Sequence, residues 1–204
     1  MAGCKVIGIF GGVGSGKSIA AGYLKNKYKA YIIQADDIAH RLYKKGQNGY
    51  KAIIRICGKS ILDDNKEIDR KKLAELLFSN PELLIEVDSA IHPMVYKKTT
   101  CMIDEYKKTH NHGLIVYEAA ILPDSSIRFW DESWYIYTPS EERVQRLKTD
   151  RGYSESKIAN IMNNQPSDEE YRDFCDKVIV NDKDIKKLEE QIDEIIKYSQ
   201  RQQR

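Results

Sequence analysis

The sequence predicts an α/β fold of three layers built on a five-stranded parallel sheet. Five short apolar runs, KVIGIF (5–10), AYII (30–33), LIVY (114–117), WYIY (134–137) and KVIV (177–180), are rich in β-branched and aromatic residues, as strands are. Stretches with apolar residues at three- and four-residue steps lie between them, so crossover helices join strands that are buried on both faces. The spacing is uneven. About 80 residues separate the second run from the third, where a crossover needs only about a dozen, so a helical insert is expected there.

Composition narrows the function classes. With 204 residues the chain has room for one α/β domain and an insert. Lys and Arg total 33 against 31 Asp and Glu, a formal net charge of +2. Such a balance gives no broad attraction to nucleic acid or to a membrane surface, so any anion site must be local. Cys4, Cys57, Cys101 and Cys175 are far apart, and the N-terminus lacks the plan of a secretory signal. A cytoplasmic protein is expected, as a monomer or weak homo-oligomer. No apolar run approaches the roughly 20 residues that span a bilayer.

The first strand leads into GIFGGVGSGKSIAAG (8–22). Gly11, four residues, then Gly16, Lys17 and Ser18 satisfy G-x-x-x-x-G-K-[ST] at the end of a strand and the start of a helix. The chemistry explains the spacing. Glycines let successive backbone N–H groups turn inward as an anion nest, and the following helix adds its positive end. Gly12, Val13, Gly14, Ser15, Gly16, Lys17, Ser18 and Ile19 are therefore expected to wrap the polyphosphate of a nucleoside triphosphate. Lys17 would reach the β- and γ-phosphates, and the Ser18 hydroxyl would be a ligand of Mg²⁺.

The second strand ends in Gln34, Ala35, Asp36 and Asp37, which sets carboxylates at the sheet edge where ligands bind. Two roles stand open for Asp36: accepting the proton of an acceptor hydroxyl, or capping a helix that begins near Ile38, with Asp37 the stronger candidate for the cap. The insert, residues 38–112, reads as helices, with Asp69 and Pro93 suited to helix starts. HNH (110–112) reads as a solvated turn, since no further metal ligands stand at matching spacing. PSEERVQRLKTDRGYSESKIANIMNNQ (139–165) carries basic residues around Gly152 and has the makings of a lid; Arg143 in it reads as a solvated helix charge. The core is expected from residues 1–37, 113–138 and 166–204. DIKKLEEQIDEIIKYSQ is an amphipathic helix, and RQQR (201–204) a frayed tail.

A GTPase switch would carry D-x-x-G after its third strand and N-K-x-D, and neither occurs. A small chain with a helical insert and an arginine-bearing lid suits a kinase for a small acceptor, which must exclude water from the transferring phosphoryl group. A nucleotide-dependent binding module without transfer is the alternative from another class.

GIFGGVGSGKS, IIQADDIAHRLY, LLFSNPE, AIHPMV and VNDKD stand in the order and approximate spacing of one family, and over most of the chain the sequence resembles the dephospho-coenzyme A kinases. The resemblance implies a P-loop nucleotide-binding fold with a helical CoA-binding insert and a helical lid. It also implies ATP-dependent phosphorylation of the ribose 3′-hydroxyl of dephospho-CoA, the last step of coenzyme A synthesis, with ATP and Mg²⁺ as cofactors. Another small-molecule kinase on the same core, for a nucleoside or nucleoside monophosphate, is the alternative. Asp36 matches the family's general base, with Gln34 in place of the first acid of the family's D-A-D element. His92 and Pro93 match an H-P pair that begins a helix beside the acceptor. Arg146 matches the lid arginine that neutralises the transferred phosphoryl group, and Asn181 falls where related kinases place the adenine. The chain departs from the pattern at Ile19, where Thr is usual, and at Asp124, which replaces a Glu. A second lid arginine is displaced, with Arg151 or Arg172 nearby and Tyr171 at a usual Lys.

Overall fold

The computed structural model describes residues 3–124, 126–182 and 184–202. It divides into two compact units, one drawn from the chain up to Ile33 and from Tyr106 onward, the other Gln34–Glu105.

The first unit holds the sheet. Strands β1 (Gly3–Phe10), β2 (Tyr31–Gln34), β3 (His112–Ala119), β4 (Glu132–Tyr137) and β5 (Lys177–Val180) take the order β2-β3-β1-β4-β5. Each expected apolar run becomes a strand of this parallel sheet. β1 is central, pairing with β3 from Gly3↔His112 to Phe10↔Ala119 and with β4 from Ile7↔Glu132 to Phe10↔Tyr135.

Strand alternation then sends side chains to two faces. Ile7, Ile9, Val116, Trp134, Ile136 and Ile179 pack on one face against Ala20 and Leu24 of α1 (Lys17–Tyr28). Leu188, Ile192 and Ile196 of the helix at Ile185–Gln202 complete that layer. On the other face Phe10 meets Tyr117, Trp130 and Phe174 edge to face, and Tyr135 stacks on Tyr171 with centroids 4.8 Å apart. Burying one such side chain contributes about 1.5–3 kcal/mol, so the two layers, rather than any polar contact, hold the sheet. A polar clasp joins the first and last helices: Asp193 accepts from Tyr23 at 2.8 Å, Tyr28 at 2.7 Å and Lys27 at 2.5 Å. The last helix runs into the segment expected to fray, and residues 203–204 lie outside the described ones.

The second unit is helical: α2 (Ala35–Leu42), α3 (Asn48–Cys57), α4 (Arg70–Phe78) and α5 from Pro81, which runs on to Thr109. Ile38, Ile53, Leu73, Val87, Ile91 and Val95 are among its buried apolar residues. Asp69 caps α4 as expected, its carboxylate accepting from Lys71 N at 2.9 Å and Lys72 N at 3.2 Å. Two expectations fail. Pro93 does not begin a helix but lies inside α5. The start belongs to Asn80, whose side chain accepts from Leu83 N at 3.2 Å, and to Pro81 in the first helical position. Val87, Ile91, Val95, Thr99 and Ile103 continue one buried stripe at four-residue steps past the proline, and that packing outweighs the single backbone bond Pro93 cannot donate. Nor does either acid cap α2. The cap position is Gln34, without a side-chain bond, and Asp36 and Asp37 stand exposed in the first turn, where the helix dipole favours them.

The three remaining helices, α6 (Ser140–Thr149), α7 (Glu155–Asn163) and α8 (Asp168–Phe174), belong to the first unit, and the helix at Ile185–Gln202 is α9. Among the described residues no helix is long and apolar enough to cross a membrane.

Candidate active site

The site is built on the turn between β1 and α1. Gly14 and Gly16 have φ of 83° and 92°, which only glycine adopts without strain. Close approach adds a second demand. A Cβ on Gly12 would stand 2.0 Å from Arg143 Nη2, and one on Gly16 would stand 2.0 Å from Asn181 Nδ2. The loop is thus packed from outside by two polar side chains of distant sequence.

Lys17 opens α1 and is buried; its Nζ donates to Gly11 O at 2.7 Å and Gly12 O at 3.1 Å. Its charge therefore lies at the loop's beginning, where a terminal phosphate would be met. Ser18 Oγ donates to Glu118 Oε1 at 2.7 Å. Glu118 is buried at the end of β3, and sequence reasoning missed it. A signal existed: Leu114, Val116 and Glu118 share one face by alternation, so the carboxylate follows the strand's apolar face toward α1. Ser18 and Glu118 offer hard oxygen donors of the kind Mg²⁺ takes beside substrate phosphates and water. Among the described residues no cluster of three or more His, Cys, Asp and Glu forms a metal cage.

Behind the loop, Asn181 is buried and donates from Nδ2 to Ser15 O at 2.8 Å, while Thr138 Oγ1 lies 2.9 Å from both Ser15 O and Asn181 O. The amide of Asn181 is a strut under the phosphate loop. Arg146 reaches the same wall: Nη2 donates to Asn181 O at 3.1 Å and Nη1 to Gly14 O at 3.4 Å, with Glu142 at 3.5 Å as its ion pair. Ser15 is buried as well, and its N–H closes a turn on Gly12 O at 3.2 Å. Ile19, by contrast, is exposed on α1.

Arg143 is not the solvated charge expected. It is 5% exposed and lies on the loop tip, Nε donating to Val13 O at 3.0 Å. Its surroundings explain the burial: carbonyl oxygens of Val13 and Gln165 take its donors, so the guanidinium is not left unpaired. Of the displaced arginines, Arg172 covers the Tyr137 ring at 4.7 Å, and Arg151 is exposed.

Asp36 and His92 belong to the second unit, where Tyr43 and Asp88 link them. Burial first, then the nearby carboxylates of Asp88 and Asp36, pushes the Tyr43 hydroxyl up to about 12. His92 Nε2 lies 3.7 Å from Asp88 Oδ1, one turn away on α5. Burial raises the Asp88 carboxyl above its ordinary value, against the opposing pull of His92. His92 therefore does not open a helix; it lies inside α5, its Nε2 facing the Asp88 carboxylate one turn earlier.

A family model described as dephospho-CoA kinase matches residues 5–187. The dephospho-CoA kinase of Streptococcus mutans is 30% identical over 191 residues, 93% of this chain and 94% of that one. That of Carboxydothermus hydrogenoformans is 33% identical over 188 residues, 92% and 90% of the two chains. A crystal structure of a Thermus thermophilus protein superposes with a TM-score of 0.76 at 25% identity, covering 96% of this chain and 98% of that one.

Proposed function

The chain belongs to the dephospho-CoA kinase family, and from that premise we propose how its own residues serve the reaction. It is a kinase that transfers a phosphoryl group from ATP to dephospho-CoA in coenzyme A synthesis, at the ribose 3′-hydroxyl. The observation that carries this reading is the loop of residues 11–18, with Lys17 Nζ held at the carbonyls of Gly11 and Gly12 and Ser18 on the buried Glu118. Lys17 stabilises the charge that spreads over the transferring phosphoryl oxygens. When bound, Mg²⁺ supplies Lewis-acid polarisation of the phosphate oxygens, and Ser18 and Glu118 are the residues that would hold it.

Asp36 accepts the acceptor's proton. Its alternative duty as a helix cap is absent from the structure, which leaves an exposed carboxylate two positions beyond β2 without a capping bond. His92 binds the acceptor from the second unit, which serves as the CoA-binding insert. Residues 139–165, with α6 and α7, form the lid, and Arg146 neutralises the phosphoryl group when that lid closes on nucleotide. Asn181 serves the nucleotide through the loop it supports. Four free cysteines fit a reducing cytoplasm.

Pairing ATP with dephospho-CoA, adenosine, AMP or no acceptor tests the reading. Product with dephospho-CoA alone is expected. Transfer to adenosine or AMP would make the chain a nucleoside or nucleotide kinase, and hydrolysis without acceptor would make it no transferase.

A further inference from the structure

Gly12–Ser15 form a β-turn, closed by Ser15 N donating to Gly12 O at 3.2 Å. Gly14 occupies the third position with φ of 83°, the value of a type II turn; a type I turn needs about −90° there. The two types differ by a flip of the central peptide, here the one joining Val13 to Gly14. In a trans peptide the C=O and the N–H point opposite ways, so the direction of Val13 O fixes the direction of Gly14 N–H. A glycine-rich turn opposes such a flip weakly.

Two side chains from remote sequence hold that tip. Arg143 Nε, 130 positions away, donates to Val13 O at 3.0 Å. Gln165 Oε1, 152 positions away, accepts from Val13 N at 3.0 Å. Arg143 Nη2 donates to the same Gln165 oxygen at 2.7 Å, closing a ring of three bonds around one residue of the loop. Arg143 comes from α6, and Gln165 from the turn between α7 and α8.

We propose that Arg143 and Gln165 are positioning residues for phosphoryl transfer: they hold Val13 so that the amides after it converge on the polyphosphate. The inference rests on the kinase reading above, since it presumes that the loop holds ATP. Neither side chain needs to touch the reacting atoms. Preorganised amides avoid reorientation at the moment of reaction, and the clamp supplies that order in a segment whose glycines do not. It also ties the loop's shape to helices 130 residues downstream.

Gln165→Leu removes the acceptor of Val13 N–H, whereas Gln165→Glu keeps an oxygen for both donors. ATP and ADP affinity is read by calorimetry without acceptor, beside AMP, which lacks the phosphates the tip would meet. Gln165→Leu is expected to weaken ATP and ADP about tenfold. AMP affinity and the KM for dephospho-CoA should stay near wild type, the melting temperature should fall by about 2–4 °C because Arg143 Nη2 loses its acceptor, and Gln165→Glu should restore both ATP binding and stability. Arg143→Met should give a similar loss, and the double variant little more, because both act through Val13. Should Arg143→Met not fold, the Gln165 pair decides alone. Unchanged or tighter ATP binding in Gln165→Leu, an equal loss for AMP or for dephospho-CoA, or no rescue by Glu would overturn the clamp. A protein that binds ATP with these dependences yet leaves dephospho-CoA unphosphorylated would overturn the substrate reading and leave the clamp standing.

Discussion

At the scale of single residues, Lys17 and Asp36 carry the sharpest expectations. Lys17→Ala removes a buried cation from the head of the loop and should lower turnover by a hundredfold or more with the fold intact, as losses of one such electrostatic contact do. Turnover near wild type at saturating ATP would show that the lysine is not aimed at the phosphates. Asp36→Asn keeps the shape of the side chain and removes its basicity, so binding of ATP and dephospho-CoA should hold while turnover falls about 10² or more. Calorimetry and the rate of CoA formation separate the two effects; equal turnover would hand the proton to another group. Much of this site was legible in the sequence because its spacing is chemical: the glycines, Lys17 and Ser18 must stand where they do. Arg143 and Glu118 were not. E-E-R-V-Q-R looks like the wet face of a helix, and only the carbonyls of Val13 and Gln165, remote in sequence, make burial of that guanidinium tolerable. Glu118 ends an apolar strand, and its meaning depends on which helix lies across that face.

At the scale of elements, the clasp on Asp193 sets a pH dependence. Burial alone would raise its carboxyl, but the Lys27 ammonium and the Tyr28 and Tyr23 hydroxyls outweigh burial and hold it at about 2. A carboxylate depressed below its ordinary value near 4 contributes stability in full above that value, and loses it as pH falls toward the folded one. Asp193→Asn should thus lower the melting temperature at neutral pH by about 2–4 °C. The difference from wild type should close as pH falls from about 4 to 2, and a gap constant across that window would exclude titration of Asp193 as its source. Elements were legible where one physical signal dominated, as in the β-branched and aromatic strands. They were misread where two signals competed. Pro93 looks like a helix start from its ring, but the buried stripe from Val87 to Ile103 decides the matter, and Asn80 with Pro81 provides the true start.

At the scale of the whole molecule, the order of the sheet departs from the order of the chain. The first strand lies in the centre, and its neighbours come from far downstream, with Gly3 beside His112 and Ile7 beside Glu132. The helical unit Gln34–Glu105 is compact by its own contacts and, along the chain, falls wholly between β1 and the segments that supply those partners. These facts carry a consequence for biosynthesis. A ribosome adds about 5–20 residues per second, so β1 leaves the tunnel on the order of 5–20 seconds before β3 exists to pair with it. Its apolar run KVIGIF is meanwhile an unpaired strand in the cell, exposed to self-association, while the helical unit has all the chain it needs to collapse. The clasp between Asp193 and the tyrosines of α1 cannot form until α9 emerges, some 165 residues after α1. The phosphate loop is therefore made long before it can acquire its working shape, and a nascent chain stalled before residue 181 would display the nucleotide motif with no Asn181 beneath it.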